Sequence, residues 1–503
     1  MRLSFLLPLL IVLPLLTAFL IPLIDILAIA LRKILVIISI SLELVFSLSL
    51  LFYFSPLGKE KLPISYYLGG WEPPLGISLS LNHLGLIFSM LVSVSLFLIT
   101  LYSLEYIEHH EGKYYVLLFV VLGAMQGVVL TNDLFNLYVF IELLTVASTP
   151  LVAFDRTSSA IEAGIKYIVY GLLGGLFFFI GIVLIYLSLG TLSLAEIALS
   201  FSSLPIPFQE TVLIFFIISL TIKLGIFPFH FWLAKAHSSA PAPISALLSG
   251  VMLKLYLCVF LRLFWVVLDF PLMEASWLKS FVLYLALGSS LLGHLFAFQE
   301  EDLKRLLAFS SVGHIGIIVA VLLVNTPEAL YGGMLHIINH LIMKSALFLD
   351  SGYFLQFTKS HLIKDLKGVF HYNRYLFASF VIVVLAMIGI PPLNGFFSKW
   401  YMLLAFVEEG IHLGGIVVIL GSLLAIPYYF RVISYGISPC EEKPVVSLSQ
   451  DPPPASLMIF TILALVVLTV VTGIFYFCLN PILDGAVQEL LPLQIYPPFP
   501  GGS

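Results

Sequence analysis

Runs of apolar residues repeat along the whole chain, divided by short polar or Pro/Gly-bearing stretches. Cutting at those stretches predicts fourteen helices, near 3–24, 34–55, 78–103, 113–131, 134–154, 164–188, 211–234, 243–267, 280–299, 304–325, 329–357, 375–406, 413–436 and 455–478. Each has close to the roughly 20 apolar residues that cross a hydrocarbon core of about 30 Å. The first run lacks the small-residue cleavage pattern of a signal peptide and reads as a retained span. The fold class expected is an all-α polytopic membrane protein.

Two of these spans, the seventh and the twelfth, carry helix breakers at their middle. Gly225 and Pro228 lie inside Lys223-Leu-Gly-Ile-Phe-Pro-Phe-His230, and Pro391 and Pro392 inside Gly389-Ile-Pro-Pro-Leu-Asn-Gly395. Proline removes a backbone donor and clashes with the preceding turn, so both helices are expected to be kinked or interrupted. A single such proline is as often a packing kink. The echo of Gly225-Ile-Phe-Pro228 in Gly389-Ile-Pro-Pro392, five spans later, favours two repeats, spans 4–8 and 9–13. Five is odd, so the two units run in opposite directions through the bilayer, as inverted repeats do. The resulting division is 1–112 (three helices), 113–267 and 280–436 (the repeats) and 455–503 (the last helix and tail).

Composition agrees with the pattern: 60% hydrophobic and 10% charged residues, with a mean hydropathy of +1.11, exclude a water-soluble globule. A net charge of −5 over 503 residues gives no nucleic-acid surface. Cys258, Cys440 and Cys478 have no metal or cluster spacing, and no Gly-rich nucleotide loop sits between a strand and a helix. The chain is therefore expected to hold no cofactor, and any iron–sulfur or nickel–iron centre belongs to partner subunits. With the amino terminus outside, fourteen Lys and Arg fall on the inner side and five, Arg2, Lys59, Lys61, Arg262 and Lys279, on the outer side. That asymmetry puts both termini on the outer face of a cell membrane.

The remaining four lysines, Lys223, Lys254, Lys344 and Lys399, lie inside spans. A lysine at mid-span costs about 2.5–3.5 kcal/mol on insertion scales, so the default reading is a path for ions or protons. His336, His340 and Lys344 are spaced i, i+4, i+8 and share a helical face. Zinc is the competing reading, but no Glu follows the first His and no third ligand is evident. Two His on one helix cannot sandwich a haem iron. His314, between Gly313 and Gly316, is either a buried histidine bonded to a carbonyl or a member of the path. His230 and His237 follow the first break, where His237 is either at the cytoplasmic rim, helping proton uptake, or a surface histidine. Plainer readings cover Asp133 as a helix-start carboxylate, Lys166 as a snorkelling side chain, Glu105 to Glu111 as a solvated loop and Pro452 to Pro454 as a stiff linker.

At this point the residues resemble the antiporter-like proton-translocating subunits shared by respiratory complex I, Mrp-type cation/proton antiporters and archaeal membrane-bound hydrogenase and sulfane reductase complexes. The D-type Mrp subunit is the nearest likeness. It is carried by Asn132-Asp-Leu-Phe-Asn-Leu-Tyr-Val-Phe-Ile-Glu142, by Lys223 through His237 into Ser238-Ser-Ala-Pro-Ala-Pro-Ile-Ser-Ala246, and by Lys304-Arg-Leu-Leu-Ala-Phe-Ser-Ser-Val-Gly-His314. Asn339-His-Leu-Ile-Met-Lys344 and Pro391-Pro-Leu-Asn-Gly-Phe-Phe-Ser-Lys399 continue it. The resemblance implies that Glu142 pairs with Lys223, that Lys254 hands protons toward the centre, and that Lys399 is the exit lysine. Chain length argues against the lateral helix of the family's largest members.

The expected function is ion translocation in a larger membrane complex: protons, in possible exchange for Na⁺, driven by redox chemistry in partner subunits of a Mrp-containing respiratory assembly. Hydrogenase, sulfur reductase and NADH/quinone oxidoreductase types all fit. A stand-alone Mrp antiporter is the alternative. A secondary transporter of an organic solute and a non-pumping membrane anchor stay open from other classes, although an anchor has no need of four costly lysines.

Overall fold

The computed structural model describes residues 3–54, 62–269, 277–439 and 456–491. It begins with α1 (Leu6–Leu27) and α2 (Ile29–Phe54), followed by an antiparallel hairpin of β1 (Ile64–Tyr67) and β2 (Ser78–Leu81), with Ile64 opposite Leu81. Then come α3 (His83–Tyr106), α4 (Glu111–Leu130), α5 (Leu134–Val152), α6 (Ser158–Leu189) and the short α7 (Leu194–Ser200). The seventh span is split into α8 (Ile206–Leu224) and α9 (Phe231–Ser239). α10 (Ala242–Ala246) runs through a π-helical turn, Leu247–Met252, into α11 (Leu253–Leu261) and a second π turn, Arg262–Val267. The rest comprises α12 (Trp277–Gln299), α13 (Leu303–Leu322), α14 (Pro327–Thr358), the single turn α15 (Val369–Tyr372), α16 (Arg374–Ile388), α17 (Asn394–Glu408), α18 (His412–Ile437), α19 (Ser456–Ile474) and α20 (Asn480–Leu490).

Among the described residues thirteen helices are long and apolar enough to cross a membrane, which makes this a multi-pass membrane protein. The remaining expected span is the pair α16 and α17, of 15 residues each. At about 22 Å, neither half bridges the hydrocarbon core alone. The hairpin is a departure from all-α, since uniform hydrophobicity hides the alternating exposure of β1.

Both breaks end their first half-helix in the same way. Gly225 and Gly389 take left-handed φ values of 65° and 96°, which favour glycine, and the next amide reaches back five residues: Ile226 to the Thr221 carbonyl at 3.0 Å and Ile390 to Leu385 at 3.1 Å. The orphan carbonyls are satisfied differently. Trp232 Nε1 donates to the Ile222 oxygen at 3.0 Å, whereas Lys399 Nζ donates to Met387 and Ile388 at 2.7 and 3.0 Å.

Burial separates centre from rim. The central windows of α14 and of the helix Ala242–Val267 are wholly buried and that of α13 is 94% buried, but α2 and α6 bury only 33%. Glycines bring α12 and α13 together: a Cβ on Gly293 would meet the Gly313 nitrogen at 2.4 Å, and one on Gly316 would meet the Ala286 oxygen at 2.7 Å. Polar groups are therefore collected where no lipid reaches them.

Several simpler expectations change. Arg262, counted with the outer loops, is buried in the second π turn and donates to the carbonyls of Val128, Val129 and Thr131 at 3.0, 2.9 and 2.6 Å, closing the C-terminal end of α4. Glu105 and Glu111 are not merely solvated. Glu105 accepts from the Leu457 and Met458 amides that open α19, and Glu111 pairs with Arg32 at 2.7 Å and Lys33 at 3.5 Å. Glu108, His109 and His110 do stay exposed, in a cleft shared with Asp155 and Arg156. Asp133 caps α5 through the Asn136 amide, and Lys166 pairs with exposed Glu162. Cys440 and Pro452 to Pro454 lie outside the described residues.

Candidate functional site

Lys223 occupies the last turn of α8, two residues before the break, where the end of the helix favours a cation. Its Nζ lies 3.1 Å from Glu142 Oε1 on α5 and also donates to the Gly171 carbonyl at 3.1 Å and Thr145 Oγ1 at 3.4 Å. The lysine side chain is 1% exposed and the glutamate 16%, so the pair meets its surroundings only from the carboxylate end. Two glycines of α6 make the room. A Cβ on Gly174 would lie 3.2 Å from Lys223 Cγ, and one on Gly175 would lie 2.3 Å from Glu142 Oε1. Beyond Lys223 a cavity of about 10 Å³ lined by Thr145, Tyr167 and Tyr256 has the size one water centre needs.

Lys254 and Lys344 have no carboxylate partner among the described residues; each donates a hydrogen bond to a backbone oxygen. Lys254 follows the π turn Leu247–Met252, and its Nζ donates back to the Ser249 carbonyl of that turn at 2.5 Å. Lys344 Nζ donates to the Leu307 carbonyl at 2.8 Å and to Ser310 Oγ. Hydroxyls lie between the two lysines: Ser249 Oγ meets Ser311 Oγ at 2.8 Å, and Ser311 donates at 2.9 Å to the same Leu307 oxygen that accepts from Lys344. Lys254 holds the Ser249 carbonyl and not its hydroxyl, and the Leu307 carbonyl accepts from both sides, so these groups narrow the gap between the two ammoniums without closing it.

The histidines sit between α13 and α14. His314 Nδ1 and His336 Nε2 are 3.0 Å apart, and His336 Nδ1 meets Ser398 Oγ of α17 at 2.8 Å. The His340 ring lies 4.9 Å from that of His314, and neither of its nitrogens has a hydrogen-bond partner among the described residues. His294, on α12, was not singled out in the sequence; its ring is 5.3 Å from His314, and its Nδ1 meets Tyr428 Oη at 3.1 Å. The signal was a lone histidine in the apolar span Leu291-Leu-Gly-His-Leu-Phe296. No group of three possible metal ligands from His, Cys, Asp and Glu occurs among the described residues.

Lys399 shares no hydrogen bond with a histidine among the described residues, although its neighbour Ser398 bonds His336; its Nζ caps α16 and donates to Ser422 Oγ at 2.9 Å. It follows Gly389 by ten residues, whereas Lys223 precedes Gly225 by two, so the two break lysines are not in matching positions. His230 and His237 are 1% and 0% exposed. The rim or surface position considered for His237 is corrected: α9 packs against α6 and α13, and the ring stacks on Phe348 of α14 at 4.7 Å, away from water. Both histidines lack polar partners for their rings among the described residues. Outside the spans, burial raises the Asp155 carboxyl above its ordinary range, and burial with the Lys304 charge pushes the His361 imidazole down to about 3.

Residues 131–425, which contain every group of this line, match the family described as NADH:quinone oxidoreductase/Mrp antiporter, TM. The chain is 32% identical over 447 residues to the NADH-quinone oxidoreductase N subunit of Desulforudis audaxviator, covering 86% of this chain and 88% of that one. It is 28% identical to the D-type Na(+)/H(+) antiporter subunit of Alkalihalophilus pseudofirmus, over 85% and 86% of the two chains. The likeness is therefore not confined to the D-type. A chain in the structure of the membrane-bound sulfane sulfur reductase, an archaeal respiratory membrane complex, superposes with a TM-score of 0.87 at 29% identity over 96% of this chain and 97% of that one. The protein belongs to the NADH:quinone oxidoreductase/Mrp antiporter transmembrane family.

Proposed function

We propose that this chain is the ion-translocating subunit of a multisubunit membrane complex, moving protons along Glu142, Lys223, Lys254, Lys344, the histidines and Lys399. The observation that carries the reading is the buried Glu142–Lys223 pair at 3.1 Å, followed by two more buried lysines, Lys254 and Lys344, with serine hydroxyls between them. Opening the pair leaves an ammonium without its counter-charge in a low-dielectric site, which favours passing the proton on. Charge arriving at the next lysine weakens the pairing beyond it, giving an electrostatic relay. Na⁺ exchange belongs to the same reading, as do partner membrane subunits whose iron–sulfur or nickel–iron chemistry drives the relay.

The two units 113–267 and 280–436 are assigned as inverted repeats, between 1–112 and 455–503. Beyond the paired helix breaks, two short bridges support this. Asp133 caps α5 and pairs with Ser193 after α6, while Asp302 caps α13 and pairs with Leu362 after α14. Position 133 to 302 and 193 to 362 are each a shift of 169 residues. Their hydrogen bonds repeat as well: Leu134 to Leu192 and Leu194 to Asn132, then Leu303 to His361 and Ile363 to Glu301. Both termini are assigned to the outer face of the cell membrane from the Lys and Arg asymmetry.

The test is Lys223→Met in sealed vesicles containing the whole complex, with proton movement read by a pH-sensitive dye. Loss of ion movement with normal assembly is expected, and undiminished movement overturns the relay. Mass spectrometry of the gently extracted complex identifies the driver: redox subunits fit the respiratory assignment, and small hydrophobic partners alone fit a stand-alone antiporter.

A further inference from the structure

A second polar cluster lies outside this line, among α2, α3 and α4. Glu43 is 0% exposed at the middle of α2, and no basic side chain pairs with it among the described residues. Its Oε1 accepts from Gln126 Nε2 at 3.1 Å, and its Oε2 has no hydrogen-bond partner among the described residues. The same amide nitrogen donates to Ser93 Oγ at 2.9 Å and to the Ser89 carbonyl at 3.4 Å. Ser47 Oγ meets Ser93 Oγ at 2.6 Å, and Ser89 Oγ donates to Gln126 Oε1 at 2.9 Å. Oxygens from two helices, α2 and α3, thus converge on the Gln126 amide nitrogen of α4.

The other ionisable groups of the packed helices stand at their ends. Asp25 of α1, Arg32 and Lys33 of α2, and Glu111 with Lys113 of α4 lie toward one end, joined there by Glu105 of α3, while His83 opens α3 at the other. Arg32 is eleven residues from Glu43, about 16 Å along the helix. A buried carboxylate must have its charge balanced. Here the balance comes from a bound proton or from a small hard cation, and hydroxyl, amide and carbonyl oxygens are the donors such a cation prefers.

We propose that Glu43, with Gln126, Ser47, Ser89 and Ser93, forms a site at which Na⁺ and a proton compete for one carboxylate. The exchange is Glu43–COOH plus Na⁺ giving Glu43–COO⁻·Na⁺ plus H⁺, balanced in charge and atoms. Asp350 provides the contrast. It is equally buried and has one oxygen without a partner, but among the described residues its one hydrogen bond is from Ser379 Oγ, at 3.4 Å, in place of a set of converging oxygens.

The test is labelling of the intact complex in native membranes by a hydrophobic carbodiimide, which adds to protonated carboxyls, with adducts located by mass spectrometry. Replacing K⁺ by Na⁺ at constant ionic strength should slow labelling of Glu43 several-fold and leave Asp350 unaffected. Glu43→Gln should remove the adduct. Ser93→Ala, or Ser47→Ala if that variant does not assemble, should keep the adduct and lose the Na⁺ protection. Labelling of Glu43 indifferent to Na⁺, or absent in the folded protein, overturns the proposal. Either result leaves the Lys223 experiment untouched, because none of these residues lies on that line.

Discussion

Gly175→Ala separates the Glu142–Lys223 pair without removing a charge. The added Cβ would stand 2.3 Å from Oε1, 2.6 Å from Cδ and 2.9 Å from Oε2 of Glu142, so the whole carboxylate has to move. Restoring ordinary contact takes about 1.1 Å, and a retreat of that size along the pair's axis lengthens the separation to about 4.2 Å. At an effective dielectric of about 20, the attraction falls from about 5.4 to about 4.0 kcal/mol. The loss of about 1.4 kcal/mol is close to tenfold in the balance between closed and open pair. The closed pair is what holds a proton on Lys223 between transfers, so a balance shifted toward the open pair leaves fewer loaded lysines, and proton flux in vesicles carrying the assembled complex is expected to drop by up to that factor. Glu142→Asp in the Gly175→Ala background shortens the side chain by one methylene and should recover part of the flux. Wild-type flux from a correctly assembled Gly175→Ala complex would refute the claim that the contact distance controls transfer.

Three further outcomes are expected. His336→Phe removes the bonds to His314 and Ser398 while filling the space, so flux should fall at least about tenfold with little change in melting temperature; equal flux means protons bypass the ring. Arg262→Gln abandons three buried carbonyls at the end of α4 and should cost about 3 kcal/mol, read as a lowered unfolding temperature of the detergent-solubilised complex. His361, held near 3 when folded against an ordinary value of 6.5, binds fewer protons folded than unfolded. Its contribution is present above 6.5 and is lost as pH falls toward 3, so His361→Gln should flatten the decline in thermal stability across that acid range, measured by a pH series of melting curves.

Much of this protein is legible in its sequence because the bilayer imposes a simple rule. Helices must be long and apolar, and a lysine at mid-span is conspicuous against that background. The breaks at Gly225 and Gly389 were equally visible, since few residues other than glycine take the left-handed backbone at which both half-helices end. Tertiary structure decided what those groups touch. Lys254 and Lys344 each bond a backbone oxygen, which every residue carries and no sequence pattern marks. Arg262 looked like a loop charge until α4 ended against it, and His237 looked peripheral until α9 packed against α6 and α13 and laid its ring on Phe348. Glu43 and His294 stood in plain view inside apolar spans, but one polar residue gives no direction. Only packing brings Gln126 to Glu43 and the glycines that seat His294 against His314, because contacts between helices depend on rotation and depth, which hydrophobicity leaves free.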